Sequence, residues 1–405
     1  MMKQGSEASP LLAGTATIVA LSIAAATMFM IPYSSQAILP EIGGDLAVGP
    51  AVSSLTITFV VLGIAIGAWV MGPLSDRVGR RLVMVGSCAL LAVPTALIAI
   101  APDIVTLLAL RMLQGLFLPG LLTVATAYVY EAFPARRVPT VVGIYTSALV
   151  LGGFLGRTIP ALLVDLIGWR VSLAVLAIPV LLSAGLIHLL LPESGTPPAA
   201  RPPLHAIRAH LRNTPLLLNA FAAAFTFFAF VGLLSVIAFR LESSAFGLSP
   251  VQVGAVYIVW LVGALAPFSV RLAGRCGPRV VLPFFPVIGA LGLGIASAPI
   301  LPVVIVGLAV LAGALFSMVG VAQLLVPQLA VRDRGSAMSL HLAIYYLVGS
   351  LGPFVLGAAW SAAGWFGAAL VGGGALMVAF LLTLLLRRSQ ATVEPVRVEI
   401  KPVLS

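Results

Sequence analysis

The sequence predicts an all-α membrane protein: twelve transmembrane helices in two pseudo-symmetric six-helix halves. Composition, the number of apolar runs and an internal repeat carry that expectation. The chain has 405 residues, 61% hydrophobic and only 8% charged, whereas a soluble domain carries about 25% charge. Its mean hydropathy is +1.16. So few charges cannot keep a globule of this size in water, which excludes a soluble enzyme, a nucleic-acid-binding module and a disordered chain. The net charge of +10 reads as basic cytoplasmic loops rather than as a nucleic-acid surface. Each crossing takes roughly 20 apolar residues. Twelve would use about 240 to 290 residues, which leaves room for short loops and tails but for no second large soluble domain.

In chain order the apolar runs lie near 13–38, 51–73, 82–101, 104–130, 140–166, 169–191, 214–240, 250–272, 279–299, 301–328, 336–360 and 366–387. Each reads as a helix, because backbone facing lipid must satisfy its own hydrogen bonds. The first run is too long for a signal-peptide core and leads straight into a second span. With the N-terminus placed inside, all but four of the 22 Lys and Arg residues fall on the cytoplasmic side. Arg170 and Arg240 lie on the opposite side, and Arg111 and Arg157 fall within spans. Both termini are therefore expected in the cytoplasm, in a multi-pass protein of the cell membrane (the inner membrane in a Gram-negative bacterium). The expected organisation is a first half at 1–191, a proline-rich cytoplasmic linker at 192–213 with a short helix near 204–212, a second half at 214–387 and a tail at 388–405. Cys88 and Cys276 lie on unconnected segments and form neither a disulfide framework nor a metal site.

The halves repeat. Shifted by 198, Arg77-Val78-Gly79-Arg80-Arg81 falls on Arg275-Cys276-Gly277-Pro278-Arg279, Gly115 on Gly313 and Arg136 on Arg334. Shifted by 196, Gly153 and Gly156 fall on Gly349 and Gly352, and Gly168-Trp169 falls on Gly364-Trp365. Duplicated halves with a midplane site between them mark secondary transporters.

Between the second and third spans stands Gly72-Pro-Leu-Ser-Asp76-Arg77-Val-Gly79-Arg80-Arg81. Gly72 and Pro73 end a helix, Gly79 permits a tight turn, and Asp76 is the only acid among three arginines. Such a cluster can form an ion-paired latch that breaks when the halves rock. A loop needed only to set topology requires the arginines but not this Gly/Asp spacing. The loop resembles the signature loop of the major facilitator superfamily, and the resemblance covers the whole chain, with a degenerate second copy at 271–279. It implies the major facilitator fold, and a loop that stabilises the outward-open state from the cytoplasmic side. Gly274 replaces the acid in the second copy, so that latch is expected to be weaker.

In the fourth span Arg111 and Gln114 share a helix face. An arginine in the membrane costs several kcal/mol unless it faces water, a partner or the bundle interior. The pair resembles the span-four arginine motif of the drug:proton antiporter branch, which implies a part in proton coupling. A structural arginine bonded to the backbone of the first or second span is the competing reading. In the fifth span Gly152, Gly153 and Gly156 allow close helix contact, with Arg157 and Pro160 following. This partly resembles the antiporter hinge motif, although Arg157 stands where that motif has proline. Gly352-Pro353 occupies the repeat-equivalent place. Arg157 calls for an anion, either a carboxylate near the outer ends (Glu41, Asp45, Asp103, Asp165 or Glu242) or part of a substrate.

Cavity-lining candidates come from the spans that line the path in that family: Tyr33 and Gln36, the stripe Phe221, Phe225 and Phe228, and Gln323, together with His341, Tyr345 and Tyr346 in the eleventh span. The stripe could equally be helix packing, whereas a buried amide needs a partner. Span one has no carboxylate, and His341 is the deepest titratable group, a proton carrier, substrate contact or structural residue. No nucleotide-binding loop, cofactor site or metal site is visible. The expected function is secondary active transport of a small amphiphilic organic solute by alternating access, as proton-coupled efflux, in a monomer embedded in the bilayer. An organic-anion carrier (uniport, exchange or symport) using the intramembrane arginines is the alternative, and a non-transporting membrane sensor or lipid-handling protein is a third reading.

Overall fold

The computed structural model describes residues 14–193, 208–330 and 333–389. Those residues form helices joined by short turns, with no strand among them. Nine stretches are long and apolar enough to cross a membrane, with Thr15–Met30 as a shorter apolar helix. Two of the nine, Val138–Leu190 and Arg334–Arg388, hold two spans each. The first breaks at Gly168 (φ 73°) and the second at Ala363 and Gly364 (φ 58° at the glycine). Counting both sides of each break, twelve spans result.

The sequence repeat is written into the backbone. The two loop glycines, Gly79 and Gly277, take φ values of 100° and 89°, which only glycine adopts freely. Gly168 and Gly364 do the same three loops further on. The tryptophan after each is pinned at the same end of the molecule. Trp169 donates to Asp45 and lies under Arg170, whose Nε donates to the carbonyl of Ala101. Trp365 donates to Ser297 and lies under Arg240, which donates to the carbonyls of Ser297 and Ala298.

Close helix approach repeats as well. A methyl added at Gly156 would meet the Met30 backbone (2.6 Å to Cα), and one at Gly352 would meet the Phe228 backbone (3.1 Å to Cα). Span five thus lies backbone to backbone on span one, and span eleven on span seven. Small residues make such approaches possible where hydrophobicity gives no net drive between helices.

The first span differs from expectation. Its helix stops at Met30 rather than running to 38. The chain turns through Ile31–Ser35 and resumes as Gln36–Ile38 and Leu39–Asp45. Pro32 has no N–H to continue the ladder, and Ile31 itself stays in helical geometry. Of the short helix expected at 204–212, residues 204–207 lie outside the described residues, and 208–210 are helical.

Contacts between the halves gather at the end opposite the Arg77–Arg81 loop. Thr158 in span five donates to the carbonyl of Gly254 in span eight (3.1 Å). Gly254 packs on Ala161, and Gly357 in span eleven lies on Pro50, Ala51 and Ser54 at the start of span two.

Candidate functional site

Gln36 is the hub of this closure. It follows the break in span one, is fully buried, and uses both ends of its amide. Its Nε2 donates to the carbonyl of Val231 (3.2 Å) and to Ser235 Oγ (3.0 Å), both in span seven. Its Oε1 accepts from Arg157 Nε (2.7 Å). Its backbone carbonyl accepts from the Tyr257 hydroxyl of span eight (3.4 Å). One glutamine thereby ties spans one, five, seven and eight.

The two intramembrane arginines differ sharply. Arg111 has no exposed surface. Its Nε donates to the Thr56 carbonyl (3.0 Å), Nη1 to the Ile31 carbonyl, Ser34 Oγ and Gln114 Oε1 (2.9–3.1 Å), and Nη2 to the Pro32 carbonyl (2.9 Å) and Ser35 Oγ (3.4 Å). Gln114 donates in turn to Thr95 (2.9 Å). Arg111 thus supplies the donors that the broken first span lacks, and no N–H direction is left over.

Arg157 is equally buried, yet half satisfied. Beyond Gln36 it donates through Nη1 to the Gly153 carbonyl. Its Nη2 has no hydrogen-bond partner among the described residues. The expected carboxylate is not there. Asp45 is taken by Arg170 (2.6 Å) and Trp169, and Asp103 accepts from the Thr106 N–H at a helix start. Rings replace the carboxylate: the guanidinium carbon lies 3.9 Å from the centre of Trp260, 4.4 Å from Tyr33 and 5.3 Å from Tyr257. Each cation–π contact contributes about 0.5–2 kcal/mol, comparable with the roughly 2.5–3.5 kcal/mol that a central arginine costs in a membrane helix.

These rings belong to a larger aromatic wall. Trp260 contacts Tyr33 (5.3 Å between centres), Phe29 (6.4 Å), Phe230 (5.6 Å) and Phe316 (4.9 Å). Phe227 stacks on Tyr345 (4.4 Å, 14° between planes), and Tyr345 meets Tyr346 edge-on. The expected stripe is only partly in this wall. Phe225 and Phe228 touch each other at 6.4 Å, and Phe221 is exposed. Phe227 and Phe230, outside the stripe, make the contacts to other spans.

His341 is buried, and its Nδ1 has no partner among the described residues. Gln323 is half-buried and makes no hydrogen bond to a described residue. Pro160 and Pro353 are buried within their helices, four residues after Gly156 and Gly349, whose carbonyls they leave without a helical donor.

At the other end, Arg80 pairs with Asp76 (2.5 Å) and Glu131 (3.1 Å) and donates to Ser75 Oγ (2.6 Å). Arg81 pairs with Glu193 (3.3 Å) and donates to the His188 carbonyl. Gly72 has open space around it. No ion pair among the described residues reaches the second half, Arg81 pairing only with Glu193 at the start of the linker, so this loop does not bridge the halves in this state. Arg77 makes no ion pair among those residues.

Two acids meet across the closure. Glu41, after span one, and Glu242, at the end of span seven, are near enough to influence each other's ionisation. Glu41 Oε2 and Glu242 Oε1 are buried and receive no hydrogen bond from any described donor. Burial holds the Glu41 carboxyl above its usual range. Sequence reasoning noted both acids only as partners for Arg157, and it missed Tyr257, Trp260 and Ser235 altogether. A lone tryptophan in an apolar span carries no periodic signal. The Gly152-Gly153 doublet was the available clue, because Gly153 is where the Trp260 ring fits.

Known proteins agree with this architecture. The family model for the Major Facilitator Superfamily matches residues 18–264. The inner membrane transport protein YnfM of Escherichia coli is 31% identical over 378 residues, covering 91% of this chain and 90% of that one. The chloramphenicol resistance protein CraA of Acinetobacter baumannii is 32% identical over 139 residues, 34% of each chain. A bacterial homologue of the human lysosomal transporter Spinster, solved inward-facing and occupied, superposes with a TM-score of 0.76 at 17% identity, covering 92% of this chain and 96% of that one. The chain belongs to the Major Facilitator Superfamily: it is a multi-pass membrane transporter of small molecules and not an enzyme.

Proposed function

We propose that this protein exports a small amphiphilic organic solute in exchange for protons, as a monomer in the cell membrane with both termini in the cytoplasm. The observation that carries the reading is the wall of Tyr33, Trp260, Phe230 and Phe316, which crosses from one half to the other with a buried cation in it. Aromatic faces take up apolar bodies, and a few polar groups orient them. Because the wall is built from both halves, rocking them apart opens it, as alternating access requires. Export is favoured by the likeness to a drug-resistance protein. The Asp76–Arg80 loop acts as the latch of the opposite state, formed across the halves when the Gln36 closure opens.

Proton exchange is supported by Glu41 and Glu242. Two carboxyls in contact cannot both ionise cheaply, so they share a proton while the halves are closed at this end. Parting them lets each ionise in water, so the protonation of the pair is tied to the movement of the halves. The test is reconstitution in liposomes with a pH gradient and a panel of lipophilic cations, neutral compounds and organic anions. Solute-driven proton flux is expected from the parent protein and is lost in Glu41→Gln/Glu242→Gln. Solute flux that moves no protons at any pH would refute the coupling.

A further inference from the structure

A buried cation that is only half used is a vacancy for an acceptor. Arg157 Nη2 and Trp260 Nε1 are both buried N–H donors with no partner among the described residues, in side chains exposed by 0% and 2%. Both adjoin Gly153. Its carbonyl accepts from Arg157 Nη1, and its missing side chain makes room for the indole, which a methyl there would meet at 2.7 Å from Cε2. The other intramembrane arginine is not left open in this way. Arg111, at equal burial, spends every nitrogen on protein acceptors.

No acid supplies the missing acceptor. Asp45 is held by Arg170 and Trp169 and Asp103 by its own helix start, while Glu41 and Glu242 make no ion pair with Arg157. The walls around the two donors are ring faces: Tyr33, Tyr257, Trp260 and, behind them, Phe29 and Phe230. A positive fork beside an indole N–H matches a carboxylate, whose two oxygens can accept one bond each. The ring faces match a flat conjugated body joined to it.

We propose that Arg157 and Trp260 form the head-group site for an aromatic carboxylate, which makes the transported solute an amphiphilic organic anion. This rests on the transport reading above and narrows its substrate class. One carboxylate oxygen accepts from Arg157 Nη2 and the other from Trp260 Nε1. The two donors come from different halves, spans five and eight, so the ligand is held by both only when this end is closed. It therefore favours the closed state, and this difference in affinity is what allows a solute to drive the conformational cycle.

The test uses the purified full-length protein and measures thermal stability and equilibrium binding with benzoate, 2-naphthoate and indole-3-acetate. Benzamide is the neutral isostere, benzylammonium the cation, and chloride and sulfate the ions without a ring. Binding stabilises the folded state by mass action. The carboxylates are expected to raise the melting midpoint while benzamide, benzylammonium and the inorganic anions do not. Arg157→Gln weakens binding at least about tenfold, as loss of a charge-assisted hydrogen bond requires. Trp260→Phe keeps the ring, removes one donor and weakens it less. If Arg157→Gln does not fold, Arg157→Lys and Trp260→Phe decide, since both preserve the bulk of the site. The proposal is overturned if no carboxylate in the panel stabilises the protein selectively, or if neither foldable variant alters carboxylate binding. Carboxylate binding without proton flux would keep this site and sink the proton exchange proposed above, so the two failures are distinct.

Discussion

The backbone contact between spans one and five can be tested with a single methyl group. In Gly156→Ala the new Cβ would lie 2.6 Å from Met30 Cα and 2.7 Å from its carbonyl carbon, and it would collide with the carbonyl oxygen. Carbon atoms pack at about 3.5–4.0 Å, so the helices must separate by roughly 1 Å, and backbone cannot swing aside as a side chain can. Overpacking of this kind costs about 1–3 kcal/mol, equivalent to a drop on the order of 1–4 °C in melting midpoint for a protein of this size. The repeat-equivalent change, Gly352→Ala, meets Phe228 backbone in the same way and should cost a similar amount. Gly143, in the same helix as Gly156, has nothing within 4 Å of the added methyl. Gly143→Ala should therefore stabilise by about 0.5–1 kcal/mol through backbone entropy alone. The assay is thermal unfolding in detergent, with all three variants side by side. Opposite signs within one helix are the signature. If Gly156→Ala melts at or above the parent, the backbone-to-backbone packing described here is wrong.

Arg111→Lys keeps a charge in the same place but loses the fork, so one or two of the acceptors at Thr56, Pro32 and Gln114 go unsatisfied. A loss of about 2–4 kcal/mol is expected, and parent-like melting would show that the broken first span does not depend on that guanidinium. Asp76→Asn removes an ion pair with a partly exposed acid, while Arg80 retains Glu131 and Ser75. Melting should change by less than about 1 kcal/mol, whereas the transport rate should change; an unaltered rate removes the latch. Asp45 sits below the ordinary carboxylate range because Arg170, and then Trp169, donate to it. A depressed value means its stabilisation is present at neutral pH and is lost as pH falls through the folded value. Asp45 is about half exposed, so the effect is under about 1 kcal/mol. Melting midpoints from neutral to acidic pH should fall more steeply in the parent than in Asp45→Asn, and parallel curves would refute the pairing.

What the sequence made legible was whatever repeats. The spans follow from hydropathy because lipid tolerates so few alternatives. The halves follow from Gly79/Gly277 and Gly168/Gly364, because a positive φ at equivalent turns needs glycine at equivalent positions. The break in span one was not legible as a break. The run from 13 to 38 is mostly apolar, so Pro32, Ser34 and Ser35 read as tolerated within one span, and the donors that make a turn at 31–35 tolerable inside the membrane come from Arg111, some 80 positions away. The aromatic wall was missed for a similar reason. A stripe at helical spacing identifies one face of one helix, here Phe221, Phe225 and Phe228. The ring contacts that join the halves come from Trp260 against Phe29 and Tyr33, backed within the second half by Phe230, and these residues share no period.

The two membrane arginines show where sequence reasoning stops and geometry takes over. In the sequence Arg111 and Arg157 are alike: one cation each in an apolar span, each with a polar neighbour nearby. Each admits a structural and a functional reading. The deciding quantity is how many N–H directions remain after the protein has been served. For Arg111 that number is zero, because Ile31, Pro32, Ser34, Ser35, Thr56 and Gln114 converge on it. Four of those six belong to a turn that exists only because the guanidinium is there. For Arg157 one end of the fork is left over, and the rings that face it belong partly to the other half of the molecule. A cation satisfied within one half holds that half together through the whole cycle. A cation completed only by the opposing half changes its surroundings each time the halves move, and so can report and respond to what lies between them.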